Sequence, residues 1–76
     1  MQNITHYVDR INQFARLFDK RQLTLDSAAD RKQIAEGLLG DLSPENLTCD
    51  GEMPRAMVMK RAKYLNACMK ELRALK

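Results

Sequence analysis

The stretch VMKRAKYLNACMKELRAL, residues 58–75, decides the fold. It contains neither Pro nor Gly, and Val58, Leu65 and Leu72 recur at seven-residue steps. Ala62 and Met69 flank this row on one side, Cys68 and Leu75 on the other, so the apolar positions gather into one seam along a helix. Pro54 sets the start, because a proline in the first helical position has no N–H to leave unpaired and a φ that is already helical. The spacing therefore predicts a helix over 54–75, the longest element of the chain. Its seam either packs across earlier helices or pairs with a second copy. Arg61 falls in register with Cys68 and Leu75, on the face that is to be buried. Either its stem covers apolar surface while the guanidinium escapes to water, or its planar fork reaches a carboxylate on a neighbouring helix or partner.

Upstream, Ile4, Tyr7, Val8, Ile11, Phe14, Ala15 and Phe18 follow the i, i+3, i+4, i+7 rule and predict a first helix over 4–21. Asn3 or Thr5 is its expected N-cap, with Asp9 near the positive end of the dipole. Ser27 followed by Asp30 has the form of a capping box and opens a second helix over 27–39. Its inward residues are Ala28, Ile34, Ala35, Leu38, Leu39 and Leu42, and Gly40 is the expected C-terminal cap. The connector, 40–53, is longer than the roughly two to eight residues usual between bundle helices. Within it Ser43 and Pro44 can start one helical turn over 44–47 that returns Leu42 and Leu47 to the core. Asp50 and Gly51 read as a turn. The fold class expected is all-α: one domain over 1–76, a small three-helix bundle with a long basic C-terminal helix.

Seventy-six residues leave little room for a core, since a chain of about this size buries only roughly 60% of its unfolded surface. Regular helix packing or self-association is the expected support. The two cysteines, Cys49 and Cys68, allow at most one bridge, and no secretory apolar segment is visible. Reduced thiols and a cytoplasmic location are the expectation. The longest apolar run, Ala56 to Met59, is far short of the roughly 20 residues of a membrane span.

Charge is unevenly spread. Residues 1–50 hold six Lys/Arg and eight Asp/Glu, whereas residues 51–76 hold seven Lys/Arg and only Glu52 and Glu71 as acids. A basic last helix admits an acidic protein or nucleic acid as partner. It also admits a solvated face that suits the negative end of the helix dipole.

Residue chemistry argues against an enzyme. Cys49, Asp50 and Glu52 offer a thiol and two carboxylates, but a structural zinc site needs four ligands, commonly in paired Cys or His spacing, and neither CxxC nor HxxxH occurs. A nucleophilic Cys needs a base, and the sole histidine, His6, lies off the apolar stripe, where solvation is expected. Glycine-rich phosphate loops and calcium-loop spacing are missing from the sequence. No catalytic residue, metal or cofactor is expected. A helix-turn-helix requires a tight turn before its second helix, and the long connector does not supply one. Three of the four aromatics, Tyr7, Phe14 and Phe18, belong to the first helix's stripe, which leaves only Tyr64 to stack on bases.

The remaining surface is on the last helix. Ala56, Lys63, Ala67, Lys70 and Ala74 alternate small and basic along its outer side, which fits either a solvated face or a contact row. The stretch LSPENLTCDGEMPRAMVMKRAKYL, residues 42–65, resembles a pattern in short accessory proteins of bacteriophages and prophages. That resemblance covers about a third of the chain and implies a cytoplasmic accessory protein that binds something larger, such as a host enzyme or polymerase or a phage replication component. It implies no residue roles. The function expected is a non-enzymatic protein-binding module, a modulator or inhibitor, acting through the C-terminal helix and the loop at 48–55. Arg55, Arg61, Lys63, Tyr64 and Lys70 are the candidate partner-binding residues. The alternatives are a nucleic-acid-associated regulator contacting phosphates through the same helix, and a homodimer built on the seam.

Overall fold

The computed structural model of the chain describes residues 2–47 and 54–75. They form a small all-α bundle of α1 (Gln2–Leu17), α2 (Ala28–Asp41) and α3 (Arg55–Ala74). The long seam of α3 is the domain's own core: α1 and α2 both pack against this helix and share little with each other. Leu65, Cys68, Met69 and Leu72 of α3 meet Ile4, Tyr7 and Val8 of α1 and Ile34 and Leu38 of α2. Val58 is also buried. Removing these side chains from water is the main stabilising term.

Each end of α1 differs from the expectation. The helix begins at Gln2, so Asn3 and Thr5 lie within it rather than capping it, and no acidic residue stands in its first turn. The negative charge comes instead from α3. Glu71 Oε1 accepts the backbone N–H of Asn3 and of Ile4 (3.1 and 3.2 Å), while its Oε2 accepts from Asn3 Nδ2 at 2.8 Å. The far end stops at Leu17, not Arg21, because Asp19 turns left-handed (φ 55°). Lys20 N–H then donates to Ala15 O and Asp19 N–H to Arg16 O, the paired bonds of a Schellman closure. Asp tolerates this backbone better than most residues with a Cβ.

Ser27 caps α2 as expected, its Oγ accepting from Asp30 N at 3.4 Å. The reciprocal half of the capping box is not made. Asp30 is 2% exposed, and its carboxylate accepts two bonds from Arg21 (2.7 and 3.2 Å) and one from Thr24 N (3.0 Å), pinning the 18–27 connection to the start of α2. Asn12 pins the same connection to α1 through both Leu23 N and Leu23 O.

Gly40 is not a left-handed cap. The helix continues through it to Asp41, and the end closes with Leu42 N–H donating to Leu38 O and Ser43 N–H to Gly40 O. The turn expected after it is present: Asn46 and Leu47 N–H donate to Ser43 O, and Leu42 and Leu47 pack against the core. Pro54 stands one position earlier than expected, as the N-cap of α3, its carbonyl accepting from Met57 and Val58 N–H. The Asp50–Gly51 turn and Cys49 lie outside the described residues.

The apolar stripes reach further than the core does. Phe14 and Phe18, expected inside, are 59% and 68% exposed, and Leu39 and Ala28 of α2 are exposed as well. Periodicity marks a face but not where along it the neighbouring helix stops.

Candidate functional site

Since Asn3 meets Glu71 near the end of α3, α1 runs antiparallel to α3. This direction brings one edge of α1, carrying His6, Arg10 and Phe14 at four-residue steps, alongside Arg61 and Tyr64. Between the two helices lies an open groove of about 300 Å³ whose floor includes Tyr7, Ile11 and Leu65 and whose lining also takes in Asp41 of α2.

The two phenol hydroxyls of the groove are held in place. Tyr7 Oη donates to Asp41 Oδ2 at 2.8 Å. Gly37 lies beside this hydroxyl, and a Cβ at that position would stand in van der Waals contact with it at 3.4 Å. Burial, then the bond to Asp41, raises the Tyr7 phenol well above its ordinary value, with the nearby charge of Arg61 pulling the other way. At the other end Tyr64 Oη lies 2.8 Å from His6 Nδ1 and 3.3 Å from the Asn3 carbonyl. When the phenol proton goes to Asn3, His6 Nδ1–H is the donor to Tyr64. The two rings meet edge to face at 5.9 Å. Burial, followed by Cys68, pushes the Tyr64 phenol up to about 12, opposed by Arg10.

Three carboxylates of the fold are already partnered. Asp30 is bound to Arg21, Glu71 to the start of α1, and Asp41 to Tyr7. Neither Arg10 nor Arg61 makes a hydrogen bond or ion pair among the described residues, and both side chains are exposed at the rim of the groove. Among the described residues Arg61 thus reaches no carboxylate on a neighbouring helix, and the residue is exposed to water.

Of the five candidate residues read from the sequence, Arg61 and Tyr64 meet in this groove. Lys63 and Lys70 are exposed on the side of α3 turned away from Leu65 and Leu72, and Arg55 is exposed at its first turn. His6, Arg10 and Phe14, which also line it, are not among those five. Their four-residue spacing is visible in the sequence, but nothing local shows that it faces Arg61.

Cys68 is fully buried, and burial raises its thiol above the ordinary range. Among the described residues no group of three or more His, Cys, Asp or Glu side chains is placed to hold a metal ion, and no helix is long and apolar enough to cross a membrane. No protein-family model, curated protein or solved structure matches this chain.

Proposed function

We propose that this protein is a small binding module of the cytoplasm, an accessory modulator or inhibitor of a larger host or phage protein, and that it engages its partner through the α1–α3 groove. One observation carries this reading: two unpaired arginines stand over an apolar floor beside an exposed phenylalanine. Where it is contiguous and large, apolar surface rimmed by polar side chains marks interaction sites. Aromatic and Arg side chains are also the types enriched at the energetic centres of protein interfaces. The outer Lys63 and Lys70 row is a second, peripheral contact in this reading.

Site-specific photo-crosslinking tests it. A photoreactive phenylalanine analogue replaces Phe14 in one variant and Lys70 in another, in cells that express the chain. Discrete adducts from position 14 that resist nuclease and yield to protease are the expected result. Adducts that nuclease removes would favour phosphate contact instead. No adduct at position 14 would remove the groove from consideration.

A further inference from the structure

We infer that the groove accepts an acidic segment of the partner, with a carboxylate held between Arg10 and Arg61 and an adjacent apolar side chain seated on Ile11, Leu65 and Phe14. This rests on the binding-module reading and names the chemistry of its partner.

Charge complementarity is the first argument. The groove presents two guanidinium groups, from different helices, against the single carboxylate of Asp41, which is already bonded to Tyr7. Their fields cross the groove: Arg61 acts on the Tyr7 hydroxyl and Arg10 on that of Tyr64. A guanidinium binds a carboxylate through two parallel N–H donors, so an anion between them replaces water on both without leaving a buried charge alone.

Size and lining supply the second argument. A volume of about 300 Å³ is at the small end of ligand sites and admits one or two side chains of a segment lying across it. Two further apolar side chains are exposed in the segments that follow on from the groove. Phe18 stands just past the C-terminal end of α1, and Met57 one turn before Arg61 on α3, at 68% and 57% exposure. A polynucleotide needs a continuous cationic track, whereas here two cations are set into apolar surface with a carboxylate at one end. An acidic peptide with an aromatic or branched neighbour matches both halves.

Selection from a library of short randomised peptides on the purified chain tests this. The expected peptides carry Asp or Glu within a turn of Phe, Trp or Leu. They shift the methyl resonances of Ile11 and Leu65, and each of Arg10→Gln and Arg61→Gln weakens them about tenfold. Lys32→Gln, at an exposed lysine of α2 outside the groove, leaves them unchanged. Both arginines are exposed, and unaltered circular dichroism confirms that the variants fold. Selected peptides without acidic enrichment, or binding indifferent to the Arg10→Gln, Arg61→Gln double variant, would overturn the inference. So would a random-sequence oligonucleotide that binds the same residues where no peptide is selected. Protein adducts from position 14 alongside any of these results would leave the module standing and remove only its acidic partner.

Discussion

Glu71 of α3 caps the first turn of α1 across 68 positions of sequence, accepting from both the backbone and the side chain of Asn3. A carboxylate at this end meets the positive pole of the helix as well as its unpaired N–H groups. The contact also fixes the antiparallel register that brings Arg10 and Arg61 to the same groove, so it links the stability of α1 to the shape of the groove. Glu71→Gln keeps an acceptor and loses the charge, whereas Glu71→Ala loses both. The thermal midpoint is expected to fall in the order wild type, Gln, Ala. Amide exchange at Asn3 and Ile4 should quicken in the same order. Unchanged exchange in the Ala variant would show that the cap does not hold α1.

Acid should loosen the same joints. The Asn3 side chain, followed by the Ile4 and Asn3 amides, holds the Glu71 carboxyl below its ordinary range, and Arg21, then the Thr24 amide, does so for Asp30. A lowered folded pKa means that the unfolded chain binds more protons as pH falls. The stabilisation is complete above the ordinary carboxylate range, about pH 4, and disappears as pH drops through the lower folded values. Denaturant midpoints measured downward from neutral pH should therefore decline below about pH 5. Asp30→Asn should flatten that decline while lowering stability at neutral pH. An equally steep decline in the variant would assign the acid sensitivity elsewhere.

The alkaline side has the opposite sign. Both phenols are raised, chiefly by burial, so the folded state favours their protonated forms. That stabilisation is intact below the unfolded value of about 10 and is lost as pH rises through the folded ones. Ultraviolet absorbance should show almost no tyrosinate in the native protein near pH 10, with Tyr64 titrating at about 12. In denaturant both should titrate near 10. Native tyrosinate appearing near pH 10 would mean that at least one hydroxyl is not held as described.

Features that repeat along the chain were legible in the sequence. Val58, Leu65 and Leu72 announce the core face of α3 by spacing alone, Ser27 announces the start of α2, and Ser43–Pro44 announces the turn that brings Leu47 back. Features made by two distant segments were not. Asp30 is read locally as a helix-start residue, and only the path of the 18–27 connection puts Arg21 over it. Half of the groove was visible as Arg61 and Tyr64. The other half, His6, Arg10 and Phe14, depends on the direction of α1, which a contact 68 residues long decides.

Leu38 and Leu39 separate what a pattern can assign from what packing decides. Both belong to the expected apolar stripe of α2, yet Leu38 is fully buried among Ile4, Ile34 and the α3 seam while Leu39 is 57% exposed. Truncating a buried leucine to alanine costs about 2–5 kcal/mol, through lost transfer energy and the cavity left behind. A 76-residue domain has roughly 4–11 kcal/mol to lose at about 0.05–0.15 per residue. Leu38→Ala is therefore expected to bring the chain close to unfolding at room temperature, seen as collapsed amide dispersion and a midpoint lowered by more than about ten degrees. Leu39→Ala should stay within about 0.5 kcal/mol of wild type. Comparable losses from the two would mean that Leu39 is covered in solution, and a second copy of the chain on that face would then show as a concentration-dependent midpoint.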